Sequence, residues 1–151
     1  MGRLEHIHLA AGMGEPMRAV ERARAVSGVG LEGDRYATGR GHFSNRPGTG
    51  RHLTLIEAEV IDGLRSLAGI SLSPGDARRN LTTRGIDLNA LVGKRFRIGE
   101  VLCEGVRLCD PCQYLEDLLG KPVRAPLAGR GGLRAHVLEG GELRVGDPIE
   151  S

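Results

Sequence analysis

Glycine occurs 24 times among the 151 residues and separates the apolar residues into short segments. A glycine adopts backbone conformations that other residues avoid, so it is common at tight turns and β-bulges. Hydrophobic residues, at 40%, and charged residues, at 26%, are ordinary for a globular protein, whereas an aromatic content of 3% is low. This composition, without a collagen-like glycine period, indicates a β-rich fold.

The length of 151 residues is the usual size of one domain, which can bury about two thirds of its unfolded surface. We therefore expect residues 1–151 to form a single domain that needs neither a disulfide nor a metal ion to fold. Three cysteines, an odd number in a chain without a secretory signal, are expected to be thiols.

The formal net charge of +2 at pH 7 is too small for a protein that binds nucleic acid or a membrane through a broad basic surface. No apolar run reaches about 18 residues, and no segment resembles a signal peptide. We therefore expect a cytoplasmic protein that has neither nucleic acid nor membrane as a partner and whose anion sites are local.

The hydrophobic pattern predicts short strands, two helices and two hairpins. Strands are predicted at 3–9, 17–26, 52–56, 94–98, 101–108, 133–138 and 143–145, with hairpins between the last two pairs, and helices at 57–67 and 113–119. An amphipathic helix is the alternative for 17–26. Segment 28–50 has neither period, and long loops of this kind tend to carry function. The pattern as a whole predicts a mainly antiparallel β-barrel with flanking α-helices.

Cys112 is the strongest candidate for a reactive residue, because it is predicted to lie near the first turn of the second helix. Backbone N–H groups and the positive end of the helix dipole favour thiolate there, and thiolate is the form that attacks and binds soft metals. Arg107 adds positive charge nearby, and Pro111 restricts the backbone before Cys112. Cys103, which follows two apolar residues, is instead expected to be buried in the core.

Cys109 and Cys112 together form a Cys-x-Pro-Cys pair, a pattern also used by dithiol redox sites. The alternative is that both are small buried hydrophobic residues. Structural zinc is disfavoured, since none of the five histidines forms a second ligand pair at zinc-finger spacing.

A second group of candidates is dense in arginine, amide and hydroxyl side chains. Arginine holds phosphate with paired hydrogen bonds, while asparagine and threonine match ring heteroatoms. The alternative for this group is a solvated polar loop. The group comprises Arg78, Arg79, Asn80, Thr82 and Arg84, and the long loop and its end add Asp34, Arg35 and His52. The glycines in 129–132 offer further backbone amides to an anion.

Five short motifs resemble, in order and spacing, those of the MOSC family, named for the C-terminal domain of molybdenum cofactor sulfurase. They are GLEGDR at 30–35, HLTLIE at 52–57, RNLT at 79–82, GKRFRIG at 93–99 and LCDPC at 108–112. The resemblance covers nearly the whole chain and implies a stand-alone MOSC domain. It implies the family's β-barrel, similar to that of the pyruvate kinase barrel domain, with flanking helices.

The resemblance also implies a cofactor, the molybdenum cofactor or molybdopterin. In that family a cysteine after a hairpin binds molybdenum, and Cys112 matches it; Asn80 with Arg78 or Arg79 matches the element that contacts the pterin and its phosphate. Thiolate suits molybdenum held by a pterin dithiolene. The sequence differs from the amidoxime-reducing members in lacking their extra N-terminal domain, so the resemblance does not by itself imply their particular substrate pocket.

The leading hypothesis is a molybdenum-cofactor protein that reduces N-hydroxylated small molecules or handles sulfur, with an electron-donor or sulfur-donor protein as partner. It would be a molybdenum-dependent oxidoreductase or a sulfur-transfer protein. A metal-free dithiol or persulfide sulfur carrier using Cys109 and Cys112 is the second hypothesis. A non-catalytic anion-binding module is the third.

Overall fold

A computed structural model describes residues 2–10, 16–34, 52–73, 75–109, 117, 127 and 129–151, with the backbone alone at 67 and 68. The strands are β1 Gly2–Leu9, β2 Arg18–Val20, β3 Arg22–Val26, β4 Gly30–Leu31, β5 Leu53–Glu57, β6 Leu81–Arg84, β7 Arg95–Ile98, β8 Val101–Leu108, β9 Leu133–Glu139, β10 Gly141–Arg144 and β11 Pro148–Glu150. The helix α1 spans Ala58–Ala68, and a 3₁₀ helix spans Leu88–Leu91.

Seven strands close into a barrel in the order β1, β6, β5, β9, β8, β7 and β11, because β11 pairs back onto β1. Every pairing in this ring is antiparallel except that of β5 with β6. Strand β2 continues the sheet beyond β1, and β10, β3 and β4 form a second, three-stranded sheet. The predicted mainly antiparallel barrel is confirmed.

The barrel interior is filled by the inward-facing half of each strand, as strand alternation requires. Leu4, Leu55, Leu81 and Leu133 all have no exposed surface and belong to one cluster of buried residues. Cys103 lies in the same cluster, as expected, and burial raises the pKa of its thiol to about 12. This thiol is therefore protonated and inert at neutral pH.

Helix α1 packs on the outside of the barrel. Its Ile61 contacts Ile56 of β5 and Ala77, which explains the apolar period of this segment. Gly69 ends the helix with φ 67°, and its N–H donates to the Arg65 carbonyl at 3.0 Å. The helix predicted at 57–67 is confirmed, and none of the helices in the described part of the chain is long and apolar enough to cross a membrane.

Two details differ from the sequence-based expectations. Segment 17–26 is β-structure and not the alternative helix, but it breaks at Glu21 into β2 and β3. The predicted hairpin of 133–138 with 143–145 is wrong in its pairing, since β9 pairs with β5 and β8, whereas β10 pairs with β3. Gly140 permits this change of sheet, because a Cβ there would lie 2.5 Å from the Ala25 carbonyl oxygen.

Candidate functional site

Arg79 joins three separate parts of the chain through its guanidinium group. Nε donates to the Gly131 carbonyl at 2.8 Å, Nη1 to the Ala77 carbonyl at 3.2 Å and Nη2 to the Cys109 carbonyl at 3.1 Å. The residue is only 8% exposed. Arg79 therefore brings the arginine-rich segment directly against the end of β8, where the Cys-x-Pro-Cys pair begins.

Cys109 is held at both of its main-chain polar groups. Its N–H donates to the Gly132 carbonyl at 2.7 Å, while its carbonyl accepts from Arg79. The residue is 1% exposed, so its sulfur is enclosed. Gly132 has φ 116°, and a Cβ there would overlap the Leu55 carbonyl, so the sequence needs glycine at this crossing.

Asn80 connects the two strands that flank β6. Its Oδ1 accepts from the Thr54 N–H at 3.1 Å and from the Thr54 hydroxyl at 3.3 Å, and its Nδ2 donates to the His8 carbonyl at 3.2 Å. The Asn80 main-chain N–H in turn donates to Thr54 Oγ1 at 3.0 Å. These bonds leave one N–H of Nδ2 for a further partner.

Asn80, just before β6, belongs to a band of polar side chains on the outside of the barrel that includes residues of β1, β5, β9 and β8. Thr54 pairs with Arg134, which pairs with Arg107, and side chains at paired positions share a face. All members except Arg107 are buried. We call this band the outer row; its members are His8, Asn80, Thr54, Arg134 and Arg107.

His8 Nδ1 and the Thr82 hydroxyl are buried polar atoms on this face that have no hydrogen-bond partner within the described residues. The His8 ring packs against Gly75, and burial, followed by the charge of His6, lowers the pKa of His8. His8 is therefore a neutral imidazole at neutral pH, a form that can donate or accept a hydrogen bond.

Arg78 has an unusual backbone conformation for its residue type. With φ 58° it is the one non-glycine residue at positive φ in the part of the chain that the structure describes. The left-handed region costs an ordinary side chain about 1–2 kcal/mol, and such strain is concentrated at functional sites. The two neighbouring arginines therefore differ in their structural roles. Arg79 donates hydrogen bonds to main-chain carbonyls, whereas Arg78 has a strained backbone conformation.

The remaining predicted site residues are distributed differently. Asp34 is fully buried, and its Oδ1 accepts from the Ala10 N–H at 3.1 Å, so it ties the start of the long loop to the end of β1. Arg84 is the last residue of β6 and is paired with Glu5 of β1 and, at 2.9 Å, with Asp62 of α1. Cys112 and Arg35, like the helix predicted at 113–119 apart from Asp117, lie outside the described residues.

His52 does not lie beside Arg79 in the structure. Its Nδ1 accepts from the Val137 N–H at 2.9 Å, and its ring lies 4.5 Å from that of His136. His136 is four residues along β9 from Gly132, roughly 13 Å at the usual strand rise. Burial, and then the charge of His136, lowers the pKa of His52. No three His, Cys, Asp or Glu side chains among the described residues are placed to share a metal ion.

Sequence reasoning missed His8, Thr54 and Arg134 as members of the site. Each stands at an outward position of a strand, where a polar residue is expected to be exposed. Each is in fact buried. No pattern within one strand could reveal this, because burial depends on which strands are neighbours and on their register.

The comparisons with known proteins agree with this architecture. The family model described as MOSC domain matches residues 38–150. No curated protein matches the chain.

Solved structures share the fold at low sequence identity. YuaD from Bacillus subtilis is 17% identical with a TM-score of 0.82, covering 99% of this chain and 95% of YuaD. YiiM from Geobacillus stearothermophilus is 14% identical with a TM-score of 0.74, covering 99% and 74% of the two chains. YiiM from Escherichia coli is 21% identical with a TM-score of 0.66, covering 98% and 68%.

Proposed function

The chain belongs to the MOSC domain family, and from that premise we propose that it binds a molybdenum cofactor through Cys112 and the 78–82 segment. One observation carries the proposal: the hydrogen bond from Arg79 to the Cys109 carbonyl, at 3.1 Å. It places the predicted phosphate-binding segment beside the strand end that leads to Cys112. This contact supports assigning the two candidates, which are distant in sequence, to one site.

The donor set near Arg79 fits a phosphorylated heterocycle. Arg78 supplies a fixed positive charge, and Asn80 keeps one N–H for a ring acceptor. His8 Nδ1 and the Thr82 hydroxyl are buried polar atoms without partners among the described residues, and such atoms favour a polar ligand. When bound, the cofactor supplies two-electron and oxygen-atom transfer chemistry.

The roles of the residues follow from their chemistry. Cys112 contributes a soft thiolate ligand to molybdenum. Arg78 and Asn80 hold the phosphate and pterin, and Asp34 fixes the start of the long loop. The substrate class we propose is a small N-hydroxylated molecule, reduced with electrons from a donor protein; transfer of sulfur from a sulfur donor is the alternative use of the same site.

Burial of Cys109 favours this proposal over a dithiol or persulfide carrier. A dithiol carrier needs both sulfurs to meet a partner thiol, and disulfide exchange depends on access. Cys109 is 1% exposed, and its main chain is held on both sides. Cys109 is therefore a packed residue, and we assign the chemistry to Cys112.

The test is the molybdenum and pterin content of protein produced in a host that makes the cofactor. We expect both in the wild type, molybdenum reduced about tenfold or more in Cys112→Ala, and no change in Cys103→Ala, the matched control. A wild type without either component would contradict cofactor binding. Equal molybdenum in Cys112→Ala and wild type would contradict the ligand role, and unchanged anion affinity after replacing Cys109 and Cys112 would favour the binding module.

A further inference from the structure

We propose that Arg79 is a positioning residue that fixes the point from which the chain runs from β8 toward Cys112. Its purpose rests on the proposed function, because only a reactive Cys112 needs such placement. The proposal assigns different roles to two adjacent arginines, with Arg78 binding the ligand and Arg79 binding main-chain carbonyls of the protein itself.

The three carbonyls that Arg79 contacts belong to three different segments. Ala77 precedes β6, Cys109 follows β8 and Gly131 precedes β9. A guanidinium group is planar and has five N–H donors in a fixed geometry, so bonds to three carbonyls also fix the relative positions of those carbonyls. Arg79 therefore sets the distance between the segments and does more than fill space.

The charge of Arg79 supports the same conclusion. The residue is 8% exposed, yet none of the carboxylates described in the structure forms an ion pair with it. Three carbonyl dipoles stabilise the cation in place of a carboxylate, and a buried charge is tolerated only with such partners. Lysine would keep the charge, but its compact ammonium cannot reproduce three bonds in one plane.

Cys109 is the residue at the end of β8 whose position depends most directly on the Arg79 hydrogen bonds. Arg79 binds its carbonyl while Gly132 binds its N–H, and Gly131, which also accepts from Arg79, precedes Gly132. The end of β8 is thus attached to the start of β9 by two connected contacts. Loss of Arg79 should release this end locally, with the barrel core around Cys103 still closed.

The experiment measures the alkylation rates of Cys109 and Cys103 by peptide mass spectrometry on cofactor-free wild type, Arg79→Gln and Arg79→Lys. Cys103 reports opening of the core and Cys109 reports opening of the β8 end. The control is Arg84→Gln, which removes the hydrogen bonds of this guanidinium to Glu5 and Asp62, away from Cys109. Global destabilisation accelerates both cysteines alike, whereas loss of positioning accelerates Cys109 alone.

We expect Arg79→Gln and Arg79→Lys to raise the Cys109 rate about tenfold or more relative to Cys103. Arg84→Gln should leave that ratio unchanged. An equal acceleration of both cysteines, or an unchanged Cys109 rate, would overturn the proposal. If neither Arg79 variant folds, the same alkylation rates are measured on wild type at urea concentrations below the unfolding transition. The proposal then requires that Cys109 is not alkylated before Cys103, and earlier alkylation of Cys109 would overturn it. The cofactor is absent throughout, so failure of cofactor binding leaves this result unaffected.

Discussion

Arg79 donates a hydrogen bond to the Cys109 carbonyl across 30 positions of sequence. The contact joins a loop that precedes β6 to the end of β8, two places that are not neighbours in the barrel order. It exists because the chain returns to this region three times, at Ala77, Cys109 and Gly131. The site is therefore a property of the tertiary fold and not of any one motif.

Arg78 gives a prediction about backbone strain. Because its φ is 58°, we expect Arg78→Gly to be more stable than Arg78→Ala by about 1 kcal/mol, since both lose the guanidinium but only alanine keeps the strain. Urea unfolding measures the difference. Both variants should lose cofactor phosphate affinity alike, and an alanine variant as stable as the glycine variant would remove the strain argument.

Asn80 gives a prediction about buried hydrogen bonds. Asn80→Ala leaves the Thr54 N–H and the His8 carbonyl without their partner, so we expect a loss of about 2–4 kcal/mol in the free energy of unfolding. Asn80→Asp keeps an acceptor for Thr54 but cannot donate when ionised, and should also destabilise. Thr54→Ser, which keeps the hydroxyl, is the control. A loss in Asn80→Ala below about 1 kcal/mol would show that these bonds are replaceable.

Two adjacent threonines separate stability from binding. Thr83 and Thr82 both bury a hydroxyl that has no partner among the described residues, but Thr83 pairs with Leu4 inside the barrel, whereas Thr82 lies on the face of the outer row. We expect valine at either position to preserve or raise stability, by up to about 1 kcal/mol. Only Thr82→Val should lower cofactor retention, so equal retention in the two variants would remove Thr82 from the site.

His52 makes stability depend on pH. Its pKa in the folded protein is lowered below the value of 6.5, so the unfolded chain binds more protons in this range. Stability is therefore fully present above pH 6.5 and falls as the pH drops below it toward the folded pKa. His8 has the same sign.

His52→Asn isolates this contribution. The Asn Oδ1 can replace Nδ1 as acceptor for the Val137 N–H but does not titrate. The melting temperature of this variant should fall less steeply than that of wild type between about pH 7 and pH 5. If the melting temperatures of the two proteins fell equally steeply with pH, the assignment of the pH dependence to His52 would be wrong.

The sequence predicted local structure better than long-range pairing. Alternation and helical period identified β1, β5, β7, β8 and α1, because each buries one face and so imposes a period on its own residues. The strand that closes the barrel, β11, has only three residues, too few for an alternating pattern to predict a strand. The transfer of β10 to the second sheet depends on Gly140 passing close to Ala25, a contact that no local pattern contains.

The site divides in the same way. Arg78, Arg79 and Asn80 were identified because cations and amides are dense in one short segment. Their separate roles were not, since only the fold shows that Arg79 meets main-chain carbonyls and that Asn80 lies between Thr54 and His8. Arg134 is a polar residue at an outward-facing strand position, where exposure is expected. Its burial can be recognised only when the neighbouring strands are known.

X-ray absorption spectroscopy at the molybdenum edge tests the central claim most directly, by counting the sulfur atoms around the metal in cofactor-loaded protein. We expect Cys112→Ser to lose one sulfur neighbour relative to wild type, while Cys109→Ser keeps the wild-type shell. An unchanged sulfur shell in Cys112→Ser would contradict the account, because the metal would then be held without this thiolate.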